Sequence, residues 1–511
     1  VAFDVHEFSE DAFLGALANN HVDVAYMRAN RDWFPQAFYL VGYLARLAAK
    51  RLVVEHEYVD RDYLADYASY YVSCFENYGP RCKRIHFFKN EFDEAQLRAW
   101  IERPEEAADA TLQDAYLGFV VARPLPEAVV GRTVLQTYDV APGQREYARR
   151  IYKVSLFGID LHVESLAYQQ QDTVVAACAT VALWTAFHKT SQVFEHPLLR
   201  PAEITSAANR VQGGGRAMPS SGLRAEQVYT AIRRAGLEPV AEQVSSQTLL
   251  MSLIYGYLEF GLPVVLLGRV ESAGYAGHAI TVSGYSLAAT SPTNTEPKIG
   301  NIDSKGRYIE KLYIHDDNIG PFARTFPTAL PGTWPAYVAR TGQPSPPFAL
   351  QATDPANNPQ STFVPEIAVV PVYGKVRITY SEAHTWAARL QDTLAAGGVH
   401  VTDLVWSVYL TTTQRYKSDL RARYAASADA RAMMTEGQPR FIWRGVAVRP
   451  DGSEVIELLV DATGVYRSCP VFRVLWHDAA TKAAFDAQIR RVSKQTISDV
   501  YTEKFADLVY P

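Results

Sequence analysis

The chain has little cysteine. Its four residues, Cys74, Cys82, Cys178 and Cys469, include no CxxC pair in a chain of 511. They are too few and too scattered for a disulfide framework, and they exclude a zinc knuckle. A block of basic residues is also missing. Lys and Arg number 50 against 55 Asp and Glu, for a formal net charge of −5, so no segment tracks a phosphate backbone and nucleic acid is not an expected partner. The longest apolar runs, VVAACATVALWTAF and LPVVLLG, fall short of the roughly 18–20 residues that cross a bilayer. The first residues, VAFDVHEFSED, are acidic and carry no apolar signal core. A cytoplasmic location without membrane contact is therefore expected. No internal repeat is visible. The glycine triplet Gly213–Gly215 has neither a following Gly-Lys-Ser/Thr nor a preceding strand, which argues against a phosphate loop. No cofactor or metal fingerprint is present, and none is expected.

What is present is the composition of a folded protein: 48% hydrophobic and 21% charged residues, close to globular averages. The length suggests about three domains. Residues 1–155 alternate helical patterns (FYLVGYLARLAAKRL, RDYLADYASYYVSCF) with strand-like runs (RIHFFKN) and read as an N-terminal α/β domain. Residues 156–340 read as a central domain, 341–365 as a linker or long loop dense in Pro, Asn, Gln and Ser, and 366–511 as a C-terminal α+β domain. In the last, SEAHTWAARLQDTL predicts a helix, and RPDGSE between FIWRGVAV and VIELLV predicts a hairpin.

The chemistry collects in the central stretch. Residues 169–187, QQQDTVVAACATVALWTAF, run into a helix predicted over 176–189 with Cys178 in its first turn. Unpaired backbone N–H groups and the helix dipole favour negative charge there, and the thiolate is the nucleophilic form of cysteine. A nucleophile needs a base, the base an orienting group, and the developing oxyanion a donor. His278 begins a strand after Gly277; Asp316 ends the next strand; Gln171 stands before the cysteine helix with an amide able to donate. Each has a blander reading: a buried core thiol, a satisfied strand histidine, a turn-forming acid, a solvated glutamine. Together they occur in the order acyl transfer requires. Two points stay open. Gln170 competes with Gln171, and Asp317 or Asn318 with Asp316. Strand alternation in YIEKLYIHDDN puts Leu312, Ile314 and Asp316 on one face and Asp317 on the other, which favours Asp316.

These elements are Q-D-x5-C-A-T-x-A-L-W at 171–184, M-P-S-S-G-L-x4-V at 218–228, G-L-P-V-V-L-L at 261–267, G-H-A-I-T-V-x-G-Y at 277–285 and an acid after Y-I-H at 313–315. The segment from about 163 to 318 resembles the papain-like cysteine peptidases, most closely the bacterial branch that processes bacteriocin leaders. The resemblance implies an α+β, papain-like core in which a Cys-bearing helix packs on an antiparallel sheet carrying His and Asp. It implies Cys178 as nucleophile, His278 as general base and acid, Asp316 as the orienting residue, Gln171 as oxyanion donor, and a peptide or protein as substrate. The sequence departs from the family at two places. Gln171 precedes Cys178 by seven positions where six is usual, and three polar residues end the last strand in place of one acid and a proline. Two other functions fit the same core: an acyltransferase of transglutaminase type, and a non-catalytic scaffold whose flanking regions bind a protein partner. The polar insert at 287–308 reads as a rim over the cleft, and Ser220 or Ser221 as the cap of the helix that follows.

Overall fold

The computed structural model describes all residues except 1, 110, 142, 173, 211–217, 221, 272–273, 275, 290–295, 329–347, 425–427, 466–468 and 511. The architecture is α+β. Residues 1–243, 262–286 and 311–371 form one compact unit, and residues 244–261, 287–310 and 372–511 form a second. The glycine triplet and Ser221 lie outside the described residues.

The first unit opens with a five-stranded sheet in the order Phe3–Glu7, Arg51–Tyr58, Cys82–Phe88, Tyr116–Ala122, Val130–Leu135. Every pairing in it is antiparallel, which corrects the expected α/β arrangement of this region. The helical connections return the chain to the end of the neighbouring strand where the last one stopped, so no parallel crossover forms. Helix Pro35–Arg46 begins on a proline and buries Gln36, Ala37, Tyr39, Leu40, Tyr43 and Leu44, the three- and four-residue spacing of one inward stripe. The boundary expected at residue 155 falls inside a hairpin: Arg150–Leu156 pairs with Ile159–Ser165. Phe157 and Gly158, at φ of 48° and 95°, make its turn.

The cysteine helix spans Cys178–Phe194 and is buried on nearly every side through His188, as an apolar helix without a polar face must be. A closed ring of six strands follows: Val264–Val270, Ala276–Leu287, Ile309–Asp316, Gly320–Thr328, Ala349–Thr353 and Pro359–Val372, the last pairing back onto the first. Closure depends on Gly268. A Cβ there would lie 2.0 Å from the Val364 carbonyl oxygen and 2.7 Å from the Phe363 ring. The strand register also shifts between Leu267 and Gly268. The segment read as a linker therefore supplies two strands of this ring, while its first part, 341–347, lies outside the described residues. Its turn-forming residues cluster at Asp354–Asn358, with Asn357 at φ 72°, and in the exposed start of the last strand. Polar surface residues at strand ends looked like a loop.

The second unit holds helices Gln247–Leu258 and Tyr380–Ala396 with a sheet in the order Asp303–Ser304, Val405–Thr412, Phe441–Val448, Glu454–Asp461, Val471–Trp476. The RPDGSE hairpin is present, Phe441–Val448 pairing antiparallel with Glu454–Asp461. The polar insert is not a rim in its described part: Asp303–Ser304 pairs in parallel with Val405–Trp406, and Ser304 is buried. No described helix is long and apolar enough to cross a membrane.

Candidate active site

The polar residues before Cys178 have separate tasks. Asp172 is buried, and its Oδ1 accepts hydrogen bonds from the backbone N–H groups of Val174, Val175 and Ala176 at 3.0, 2.9 and 2.8 Å. Its Oδ2 accepts from the Tyr71 hydroxyl at 2.9 Å. The carbonyls of the same loop are held from elsewhere: Val174 accepts from the Ser220 N–H at 2.7 Å, and Val175 from the Thr205 hydroxyl at 2.7 Å. The loop so fixed ends at Ala177, which caps the helix without a side-chain bond. Cys178 is thus the first helical residue, where a backbone N–H has no intrahelical acceptor. Its side chain is partly exposed. Ser220 serves this loop rather than capping the next helix, which starts at Ala225 with Gln227 closing back onto Arg224. Gly222, at φ 106°, breaks the chain between them.

Gln169, Gln170 and Gln171 diverge in the same way. Gln170 is buried and structural, its amide accepting from Val130 N–H and donating to Gln36 Oε1 and the Glu127 carbonyl. Gln169 is buried as well. Gln171 lines a cavity of about 390 Å³ with Ala177, Cys178, Gly277, His278 and Asn318. Its Nε2 donates to Asn318 Oδ1 at 3.2 Å. Gln171 is therefore the glutamine at the cleft.

His278 lies on strand Ala276–Leu287, opposite Gly268 in the register. Its Nε2 donates to Asp316 Oδ1 at 2.9 Å, and Cys178 lines the same cavity as the ring. With Nε2 committed to the acid, Nδ1 is the nitrogen left for the thiol. Burial works against charge on this ring. Asp316 and then Asp317, with the hydrogen bond to Asp316, outweigh burial and hold the pKa well above the ordinary histidine value. A Cβ at Gly277 would meet no atom within 4 Å beyond its chain neighbours, so packing does not require glycine there.

Of the three residues ending the last strand, Asp316 orients the ring. Its Oδ1 also accepts the Asn318 N–H at 2.9 Å, which pins the carboxylate. Asn318 presents its amide nitrogen to His278 Nε2 at 3.5 Å, a donor facing a donor, so it cannot fix the ring. Asp317 does not point away, contrary to the alternation argument. The register shifts between Ile314 and Asp316, the chain leaves the strand, and Asp317 turns inward with Oδ1 3.8 Å from His278 Nε2. Its Oδ2 is buried without a hydrogen-bond partner. Burial raises its pKa, His278 opposes and Asp316 adds to the rise, so that it is pushed up to about 7.

The N-terminal residues brace this turn, which no sequence signal announced. Gln36 Nε2 donates to the Asp317 carbonyl at 2.7 Å, and Tyr39 donates to the Pro321 carbonyl at 2.9 Å. A Cβ at Gly320 would collide with the Tyr39 ring at 2.2 Å. Helix Pro35–Arg46 thus fixes the acid while Tyr71 fixes the cysteine loop.

A second cleft of about 630 Å³ shares Cys178 and His278 but not Gln171 or Asn318, and has Arg224, Arg269 and Glu366 on its wall. Arg269 Nε donates to Glu366 Oε1 at 2.8 Å. Two groups of side chains could hold a metal ion among the described residues: His278 with Asp316 and Asp317, and Glu454 with Glu457 and His477. In the first, an ion would take the His278 Nε2 that Asp316 now holds. In the second, Arg444 already sits on Glu457 through two bonds of 2.9 and 3.1 Å, so a cation is in place. No family model, no curated protein and no solved structure matches this chain.

Proposed function

We propose that the protein is a cysteine-dependent hydrolase that cleaves a peptide or isopeptide bond, with the helix Cys178–Phe194 and the six-strand ring acting as the two halves of a papain-like core. One observation carries this reading: Cys178 and His278 meet at one cleft, with Asp316 behind the ring. A histidine whose charged form is favoured stabilises a neighbouring thiolate and can return its proton to a leaving amine. The Cys178 sulfur attacks the carbonyl carbon, and the C=O electron pair moves to oxygen. The Cys178 N–H and the Gln171 amide are the donors available to that oxyanion. The intermediate collapses by breaking the C–N bond, and the amine leaves with the proton from His278. Water, deprotonated by His278, then attacks the thioester and releases the acid.

The test is digestion of a mixed peptide pool by the full chain. Cys178→Ala and His278→Ala should each abolish cleavage; Cys178→Ala should melt close to the parent, since removal of a small thiol costs little packing, whereas His278→Ala leaves the buried Asp316 carboxylate without its partner and should melt lower. Cleavage that survives in Cys178→Ala would contradict the reading.

A further inference from the structure

A third cavity, of about 390 Å³, adjoins the cleft on its Gln171 side, and Gln171 and Asn318 belong to both. Its aromatic wall is Trp33, Tyr71 and Tyr78. The Tyr71 and Tyr78 rings meet edge-on at 5.3 Å, and Trp33 is 54% exposed. Among its described lining residues the charged groups are all carboxylates, and one cation, the buried Arg123, stands behind the wall with its guanidinium donating to the Ala128 and Gln170 carbonyls. Asp172 is occupied by the cysteine loop and Tyr71, whereas Asp32 and Glu127 are exposed and no basic residue is among the described residues lining the cavity with them. The larger cleft at Cys178, which does not include Gln171 or Asn318, carries Arg224 beside the paired Arg269 and Glu366 instead. Aromatic faces attract cations through their quadrupole, and two carboxylates at the mouth add direct attraction.

We propose that this cavity is a substrate subsite that takes a lysine or arginine side chain, so that bound peptides place a basic residue on the Gln171 side of the cleaved bond. The inference rests on the hydrolase reading for the placement of the bond. The cavity's preference for a basic side chain follows from its own walls. Continuity through Gln171 and Asn318 places an occupant within one extended peptide's reach of Cys178.

The experiment has two arms. In the first, the full chain carrying Cys178→Ala is immobilised, exposed to a randomised peptide library and washed, and the retained peptides are sequenced. The same capture is run with Asp32→Asn and Glu127→Gln added, and separately with Trp33→Ala. All three side chains are exposed, so the fold does not depend on them. Lys and Arg should be enriched roughly tenfold at one position, as one cation–π contact and one exposed ion pair together suggest. The enrichment should vanish in the charge variant and weaken in Trp33→Ala. No retention, retention indifferent to basic residues, or enrichment that survives the charge variant overturns the subsite. In the second arm, unmodified protein digests the same library. Absence of Cys178-dependent cleavage beside basic enrichment in the first arm would overturn the hydrolase reading and leave the cation site standing. Cleavage without basic preference would do the reverse.

Discussion

His278 Nε2 lies 2.9 Å from Asp316 Oδ1 and 3.8 Å from Asp317 Oδ1, so one imidazole faces two consecutive carboxyl groups from a single turn. The two acids are not equivalent. Asp316 is pinned by the Asn318 N–H, whereas Asp317 keeps one oxygen buried and unpartnered. The first holds the ring; the second adds charge only when it ionises.

Asp316→Asn should lower turnover by about 10² or more, the scale seen when a triad acid is neutralised. It should also move the alkaline limb of the activity profile to lower pH, because the ring's raised pKa depends chiefly on this acid once burial has been overcome. Asp317→Asn should leave most of the turnover. A pH–rate series on both variants checks the order, and a larger loss in Asp317→Asn would transfer the orienting role.

Asp317 also predicts a pH dependence of stability. Its folded pKa, about 7, lies above the ordinary value of 3.8. The folded chain therefore holds a proton that the unfolded chain gives up, and the associated stability, complete below the unfolded value, is lost as pH rises through about 7. Asp317→Asn removes this loss. Its melting temperature relative to the parent should climb between pH 4 and 7 and then level off, and a flat difference in thermal melts across that range would contradict the assignment.

Asp172 should matter to stability and to activity together. Asp172→Ala leaves three N–H groups, two of them buried, and the Tyr71 hydroxyl without this acceptor, at a cost of about 1–3 kcal/mol for such a loss. It also frees the loop that sets Cys178 at the first helical position. Tyr71→Phe removes one bond and should cost less of both. Denaturant midpoints and turnover measured on the two variants give the comparison.

The two glutamines separate on kinetics. Gln171→Ala should lower kcat by about 10²–10³ with little change in KM, the signature of a lost oxyanion donor. Gln170→Ala should act on stability, because its amide serves Val130, Gln36 and Glu127. Equal kinetic losses in both would place neither at the oxyanion.

Much of this site was legible because it rests on local signals. An apolar run without Gly or Pro announced the helix that starts at Cys178, and Gly277-His278 with the strand ending at Asp316 fell where alternating apolar runs put them. Alternation failed one residue later, since it holds only while the chain stays in register, and Asp317 lies past a register shift. The braces were invisible for another reason. Gln36 and Tyr71 reach the site across 281 and 101 positions of sequence, and a buried glutamine in an amphipathic helix carries no mark of its distant partner. The linker reading of 341–365 failed because turn-forming residues at strand ends resemble a loop until pairing is known, and the α/β reading of the N-terminal region because alternation of helices and strands does not reveal strand direction.

The central claim is that Cys178 is an activated nucleophile, and the most direct measurement is the rate of alkylation by iodoacetamide at each cysteine between pH 6 and 7, read by peptide mapping. Cys82 is the internal contrast, buried and with its thiol pushed up by desolvation, while Cys74 is partly exposed like Cys178 but bonds the Tyr70 carbonyl, where Cys178 shares its cavity with His278. The account predicts that Cys178 is modified far faster than Cys74, Cys82 and Cys469, and that His278→Ala removes the difference. Alkylation of Cys178 no faster than Cys74, or unaffected by loss of His278, would contradict it.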